Sequence, residues 1–214
     1  MVNIKKFVLG MCATNCYIVS KPDSKECIII DPGDSPDRIT DYVMGNALTP
    51  VAILLTHGHF DHAAAADTVA RRFSQCKIYA AKEEITTLAD ENYNLSRPFT
   101  GVGELYGAEV YLSDGEQIKL AGMDITMILT PGHTVGSCCF YLPYEELCFT
   151  GDTLFENSVG RTDFPGGSMA TLMDSIMGKL MTLPGNTRCL PGHNDETTIE
   201  EERVNNPFLM GGFF

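Results

Sequence analysis

The feature that most constrains the fold is Val51-Ala52-Ile53-Leu54-Leu55, five apolar residues with no polar alternate, which stop at Thr56 and give way to His57-Gly58-His59-Phe60-Asp61-His62. A strand with one face in water alternates apolar and polar side chains, so a strand apolar at every position suits burial on both faces. Alanines 63 to 66, then Val69, Ala70 and Phe73, read as a helix behind the polar turn. Strand, polar turn and helix in that order is the usual setting for a functional loop in α/β architecture.

The rest of the chain supplies further layers. Ile4 to Leu9, Cys16 to Ser20 and Cys27 to Asp31 read as antiparallel strands of a meander, closed by Pro32-Gly33-Asp34. Ser35-Pro36 predicts an N-cap and a first-turn proline for a helix reaching about Gly45. Lys77 to Ala81 reads as a strand and Lys82 to Asp90 as a helix; residues 91 to 107 are polar, aromatic and Gly-rich without clean periodicity, a candidate lid or partner surface. Strands are predicted over Glu109 to Leu112, Gln117 to Leu120, Met123 to Leu129, Ser137 to Leu142 and Glu146 to Thr150. Ser168 is a candidate N-cap for a helix whose Met169, Leu172, Met173, Ile176, Met177 and Leu180 recur at helical spacing, a packing stripe facing the core. A strand from Thr187 to Leu190 and a polar helix from Asp195 to Val204 complete the pattern. The second half thus repeats the first half's order of strands followed by helix, and no linker or low-complexity stretch divides the chain.

Charge and composition exclude several classes. Lys+Arg 15 against Asp+Glu 28 leaves a net charge of −13, and no basic cluster exceeds two residues, so phosphate neutralisation by a nucleic-acid binder is not expected. The longest uncharged apolar stretch, Val51 to Thr56, is far short of the roughly 20 residues of a membrane span. No secretory signal is read behind Met1 to Lys6, and a cytoplasmic location is expected. The eight cysteines are scattered through predicted strands without a C-x-x-C pair, which reads as reduced thiols rather than disulfide staples or a thiolate zinc knuckle. Nothing in the sequence sets the oligomeric state.

Metal or acid-base chemistry must then rest on histidine and carboxylate. All five histidines follow apolar strands: His57, His59 and His62 after Val51 to Thr56, His133 after Met123 to Leu129, and His193 after Thr187 to Leu190. Asp152 follows Leu147 to Thr150 in the same way. The hexapeptide from His57 to His62 places four metal-competent side chains within six residues, with glycine where the backbone must turn, and neutral imidazoles with carboxylates are a donor set that zinc favours. Neither a Ser/His/Asp triad nor Gly-x-Ser-x-Gly is available.

Thr56-His57-Gly58-His59-Phe60-Asp61-His62, Thr130-Pro131-Gly132-His133-Thr134, Phe149-Thr150-Gly151-Asp152-Thr153-Leu154-Phe155 and Pro191-Gly192-His193 together resemble the motif series of the metallo-β-lactamase superfamily. Within it the chain is most similar to the compact bacterial glyoxalase II-like (hydroxyacylglutathione hydrolase-like) proteins, from Asn15-Cys16-Tyr17 through Ile30-Asp31-Pro32-Gly33 to Asn206-Pro207-Phe208. The resemblance implies an α+β fold, a four-layer αββα sandwich of two mixed β-sheets flanked by helices, as one domain over 1–214 without the helical C-terminal glutathione-binding domain. It implies that His57, His59 and His133 hold one metal, that Asp61, His62 and His193 hold a second, and that Asp152 bridges them, with Asp61 also catalytic. The ions implied are two divalent metals, zinc first, with iron or manganese permitted by the same ligands.

In such sites a water between metals roughly 3.5–4 Å apart has its pKa lowered toward about 7 and becomes a hydroxide nucleophile. The activity implied is hydrolysis of a small-molecule thioester of the S-2-hydroxyacylglutathione type, or of a lactone or other ester on the same site. Arg161 falls where the glyoxalase II pattern places a basic residue for the glutathione moiety, and it is equally readable as a structural arginine; Asp163 falls where that pattern has an aromatic hydroxyl. Asp31, Thr56 and Thr130 are candidates for orienting imidazole N–H groups. The alternative activity is that of an iron persulfide dioxygenase, which resembles this series while using one iron. A degenerate, non-enzymatic binding protein conflicts with an intact ligand set, and a β-lactamase role conflicts with the absence of a readable signal.

Overall fold

The computed structural model describes residues 2–211. The first half runs β1 (Asn3–Leu9), β2 (Thr14–Ser20), β3 (Glu26–Ile30), α1 (Pro36–Gly45), β4 (Thr49–Leu54), α2 (Phe60–Ala63), α3 (Ala66–Ala70), β5 (Lys77–Ala81), α4 (Ile85–Leu88), α5 (Ser96–Thr100) and β6 (Val110–Leu112). The second half runs β7 (Gln117–Leu120), β8 (Met123–Leu129), β9 (Cys138–Leu142), β10 (Leu147–Gly151), β11 (Leu154–Phe155), β12 (Ser158–Val159), α6 (Met169–Gly178), β13 (Arg188–Pro191), β14 (Thr197–Thr198) and α7 (Ile199–Asn205). Among the described residues, β1 to β6 form one six-stranded sheet in sequence order, a second six-stranded sheet is ordered β14-β13-β10-β9-β8-β7, and β11 and β12 pair as a separate two-stranded ribbon. Both six-stranded sheets are mixed: β1, β2 and β3 pair antiparallel and β3, β4, β5 and β6 parallel, whereas β10 and β13 pair parallel within an otherwise antiparallel sheet.

The unbroken apolar run is explained by its two destinations. Side chains on a strand alternate between faces. Ala52 and Leu54 point into the space between the sheets with Ile28 and Ile30, where they meet Met123, Phe140 and Phe149 of the second sheet. Ile53 and Leu55 point the other way with Cys27 and Ile29, onto Ile39 and Val43 of α1 and Ala66 and Val69 of α3. The second sheet divides likewise. Its outer face, with Cys139, Cys148 and Cys189, is covered by Leu172 and Ile176 of α6 and by Ile199 of α7. Three apolar layers therefore separate helix, sheet, sheet and helix, the four-layer αββα sandwich that the resemblance implies. All eight cysteines are free thiols, seven of them buried. Among the described residues no helix is long and apolar enough to cross a membrane.

Local expectations fail where a side chain finds a different partner. Helix α1 begins at Pro36, but Ser35 does not cap it: Ser35 sits at φ 50° and its hydroxyl donates to the Asp34 carboxylate at 2.6 Å. Ser168 does cap α6, accepting from the Thr171 N–H at 3.3 Å. Within that helix Met177 is half exposed and leaves the packing stripe. The helix predicted over Lys82 to Asp90 is a 3₁₀ turn, Lys82–Glu84, followed by the single turn of α4, because the Glu84 side chain is drawn inward to partners described below. The last helix starts at Ile199 rather than Asp195, since Thr197–Thr198 pairs with β13 and Thr198 then caps α7 by accepting from the Glu201 N–H.

Phe140 is fully buried between the sheets. Truncating such a side chain costs about 3–5 kcal/mol from lost burial plus the cavity left behind. Phe140→Ala is expected to lower unfolding stability in urea by that amount with an unchanged denaturant slope; a loss under about 1 kcal/mol contradicts the assigned packing.

Candidate metal centre

Strand direction alone gathers the polar residues. The parallel pair β3 and β4 ends on one edge, followed by Asp31 and by His57; β10 and β13 are parallel, and β8 lies two antiparallel steps from β10, so these three also share a direction. Their C-terminal ends carry Asp152, His193 and His133. Hydrogen bonds stitch the two edges together: the Cys138 N–H donates to the Thr56 carbonyl at 2.8 Å, the Asn15 N–H to the Gly192 carbonyl at 2.7 Å, and the Tyr17 hydroxyl to the Pro191 carbonyl at 2.8 Å. Gly192 is required by close approach, because a Cβ there would lie 2.4 Å from Asp152 Oδ1 and 2.5 Å from His62 Cε1.

The structure brings all seven predicted ligand residues into one cluster. Three groups are each compact enough to grip one ion: His57, His59 and His133; His57, His62 and Asp152; Asp61, His62 and His193. His133 Nε2 lies 3.0 Å from His59 Nδ1, and His62 Nε2 lies 3.4 Å from His193 Nε2. Asp152 stands between the groups, with Oδ2 3.6 Å from His133 Nε2 and 3.4 Å from His193 Nε2, and Oδ1 3.5 Å from His62 Nε2. Asp61 Oδ2 lies 3.6 Å from His62 Nε2 and accepts from the Thr14 hydroxyl at 2.7 Å.

Outer partners fix which nitrogen faces inward. The His62 Nδ1–H donates to Asp31 Oδ2 at 3.0 Å, and the His133 Nδ1–H donates to the Arg161 carbonyl at 2.7 Å. Thr56 donates its hydroxyl to Asp31 Oδ2 at 2.6 Å, which leaves its oxygen to accept from the His57 Nδ1–H at 3.1 Å. Each of these rings, when neutral, turns an Nε2 lone pair into the cluster. His57 Nε2 and Asp152 Oδ1 are buried there without a hydrogen-bond partner. Converging lone pairs and an orphaned carboxylate oxygen, removed from water, are the arrangement that a bound cation resolves. The donor set therefore fits divalent metal ions.

The two sides of the cluster differ in protonation. Burial, reinforced by neighbouring imidazoles, drives His57 well below the usual histidine range and His59 down to about 3; burial lowers His133 as well. Burial also works against a charged His62 and His193, but the carboxylates beside them win, raising His62 to about 9 and His193 to about 10. Conversely, burial pushes the Asp152 and Asp61 carboxyls up, and the facing histidines overcome it, bringing Asp152 to about 2 and Asp61 lower still.

Of the predicted orienting residues, Asp31 and Thr56 act as expected. Thr130 does not: its hydroxyl meets Thr153 Oγ1 at 2.9 Å and the Ser137 carbonyl, away from the imidazoles. Arg161 lines the pocket over the cluster with Phe164 and Phe99. Its guanidinium is engaged by Asp163 through two 2.7 Å hydrogen bonds and lies 3.9 Å from the centre of the Phe164 ring. Residues 91 to 107 supply α5, whose Phe99 forms a wall of this pocket rather than standing apart from it.

One residue escaped sequence reasoning altogether. The buried Glu84 carboxylate accepts from the Gly58 N–H at 2.8 Å through Oε1, and from the Gly136 N–H at 2.7 Å and the Thr134 hydroxyl at 2.9 Å through Oε2. It clamps the turn between His57 and His59 to the turn after His133. Burial raises its pKa while these donors pull against the rise. No local signal marks a glutamate whose partners lie 26 and 52 residues away.

Comparison with known proteins agrees with this geometry. Residues 9–193 match the family model described as the metallo-beta-lactamase superfamily. The chain is 37% identical over 214 residues to a probable metallo-hydrolase, YqgX, of Bacillus subtilis, covering 97% of each. It is 33% identical over 210 residues to the hydroxyacylglutathione hydrolase GloC of Haemophilus influenzae, covering 97% of this chain and 98% of that one. Among solved structures it is similar to the BLEG-1 B3 metallo-beta-lactamase (TM-score 0.92, 37% identity, 98% and 100% coverage) and to TTHA1623 in a di-iron-bound form (0.83, 33%, 96% and 100%). ETHE1 from Myxococcus xanthus follows with TM-score 0.82, 27% identity and coverage of 98% and 85%.

The split in protonation sets a proton count for metal uptake. An ion at His57, His59 and His133 meets neutral rings, whereas an ion at Asp61, His62 and His193 must displace protons that those two histidines hold to about 9 and about 10. Calorimetric titration at pH 7.5 in buffers of differing ionisation enthalpy should show almost no proton release for the first ion and at least about two for the second, from His62 and His193, with up to about one more from ionisation of metal-bound water. Affinity for the second ion should rise with pH up to that range; equal release in both steps contradicts the assignment. Glu84→Gln places an amide where the carboxylate receives two backbone N–H groups, and it should weaken metal binding by roughly 10–100-fold in a chelator competition. Unchanged affinity would remove the clamp from the account.

Proposed function

The chain belongs to the metallo-β-lactamase superfamily, and from that premise we propose that it is a dinuclear metal-dependent hydrolase of thioesters of the S-2-hydroxyacylglutathione type. The observation that carries the reading is the cluster itself: His57, His59 and His133 are set to hold one ion, Asp61, His62 and His193 a second, and Asp152 lies between. Bound there, two divalent ions supply Lewis acidity, making water a nucleophile near neutral pH and stabilising negative charge on a substrate carbonyl oxygen. Zinc suits these ligands, and iron or manganese are accepted by the same donor types.

The chain's own groups prepare the reaction. Asp31, Thr56 and the Arg161 carbonyl keep the inward nitrogens of His62, His57 and His133 unprotonated when those rings are neutral. Asp61, held ionised by His62 and His193, is the carboxylate we assign to orienting the attacking water. Phe99, Leu95 and Phe164 shed bulk water from the pocket. Arg161 is our candidate for the glutathione carboxylate, which would share or replace Asp163 on the guanidinium fork. In the overall step the water oxygen bonds to the acyl carbon, the carbon–sulfur bond breaks, and the thiol leaves with one of the water protons.

The similarity to GloC, named a hydroxyacylglutathione hydrolase, supports a thioester substrate. A second reading, a mononuclear iron persulfide dioxygenase using His57, His59, His133 and Asp152, is compatible with the similarity to ETHE1 of Myxococcus xanthus. Metal-loaded protein is expected to hydrolyse S-lactoylglutathione, to lose that activity on chelation and regain it on adding metal. Asp61→Ala should lower turnover by about 100-fold or more, since even outer partners of such ions are worth roughly 10–100-fold. Intact thioester, with oxygen uptake on glutathione persulfide at one iron per chain, would favour the second reading and overturn the first.

A further inference from the structure

A second cleft, of about 370 Å³, adjoins the metal cluster and shares two of its walls, Phe60 and Asp61. Its volume is within the range of small-molecule sites. The remaining surface is largely apolar, from Leu9, Met11, Ala64 and Val102. Met11 and Val102 are 76% and 62% exposed, so large apolar side chains are held open to water at the mouth of a concavity. Such placement marks a surface that receives something apolar.

The cleft is built rather than incidental. Thr100 ties Val102 to α5: its hydroxyl oxygen accepts from the Val102 N–H at 3.1 Å, and its single proton lies between the Ser96 carbonyl at 2.7 Å and the Val102 carbonyl at 2.9 Å. The floor admits no side chain at Gly33, where a Cβ would lie 1.4 Å from the Asp61 carbonyl oxygen. Polarity also selects the occupant. Asp34, Asp61 and Glu104 are the ionisable groups along this cleft, and no lysine or arginine lines it, so an anionic ligand finds no partner. The cation near the metal cluster is Arg161, in the adjoining pocket beyond Phe60 and Asp61.

We propose that this cleft holds the acyl chain of the substrate, an uncharged apolar chain longer than a lactoyl group, while the thiol half lies toward Arg161 and Phe164. The inference rests on the hydrolase reading and narrows its substrate class to apolar acyl thioesters. Because Phe60 and Asp61 line both the cleft and the pocket over the cluster, a chain lodged in the cleft would have its carbonyl on the side of the metal cluster.

The test compares acetyl, butyryl and hexanoyl thioesters of the uncharged thiol N-acetylcysteamine with metal-loaded protein. Each buried methylene should raise kcat/KM at least about threefold, so hexanoyl, with four more methylenes, should exceed acetyl by about 80-fold or more. Val102→Glu, at an exposed position, and Ala64→Leu, which fills the cleft, should each collapse the hexanoyl-to-acetyl ratio toward one. A flat ratio in the unmodified protein, or a ratio that survives both substitutions, overturns the proposal. Binding of hexanamide, followed by NMR shifts, separates this from failure of the hydrolase reading. Hexanamide binding that Val102→Glu abolishes supports the cleft even if no thioester is cleaved, a result that retires only the hydrolysis; no hexanamide binding without thioester turnover overturns both.

Discussion

The arrangement depends on one buried carboxylate. Asp31 receives the Thr56 N–H and hydroxyl and the His62 Nδ1–H, so a single side chain on the first sheet orients His62 directly and His57 through Thr56. Charge-assisted hydrogen bonds of this kind are the stronger ones, and in a dry interior none of them is replaced by water. Were Asp31 neutral or absent, the two rings could turn or exchange tautomers, and the inward lone pairs that define the cluster would no longer be specified. The sandwich supplies the rigidity behind it: β3 places Asp31, the neighbouring parallel strand β4 places Thr56 and His57, and apolar layers on both faces hold that strand pair in register.

From this anchor the site acquires its asymmetry. The three-histidine side is buried and neutral because desolvation and neighbouring imidazoles outweigh the carboxylates near those rings, whereas at His62 and His193 the facing Asp61 and Asp152 win and the protons stay. Five imidazoles and two carboxylates around one volume thus form a neutral half and an ion-paired half. The acidic surface implied by a net charge of −13 is a separate matter from this interior: polarity around the centre is set locally, by Arg161 on one side and by the carboxylate-lined apolar cleft on the other.

Much of this was legible in the residues, and what was not has a physical reason. Apolar strands ending in histidine or aspartate announce themselves, since burial demands the apolar run and chemistry demands the polar stop; Val51 to Leu55 before His57 is the plainest case. The order of the longer strands and helices followed from the same periodicities, whereas β11, β12, β14 and α5 are too short to show one. Caps were less readable, because Ser35 and Ser168 look alike in sequence and only their neighbours decide: Asp34 captures the Ser35 hydroxyl, while Ser168 is free to accept from Thr171. Long-range polar contacts were not readable at all. Glu84 sits in a stretch whose composition suggests helix, and its role emerges only when folding brings Gly58 and Gly136 to either side of it. Thr130, adjacent in sequence to the His133 turn, turned out to serve strand packing, and the acceptor for His133 is the Arg161 backbone carbonyl, to which no side-chain pattern could point.

The central claim is that one chain holds two metal ions on two defined ligand groups. It is tested most directly by anomalous X-ray diffraction from metal-loaded crystals, recorded on either side of the metal's absorption edge. The account predicts two anomalous peaks per chain, one about 2.0–2.2 Å from nitrogens of His57, His59 and His133 and one at similar distance from Asp61, His62 and His193, with Asp152 between them. A single peak on the first group, leaving Asp61, His62 and His193 paired only with one another at full metal occupancy, would contradict it.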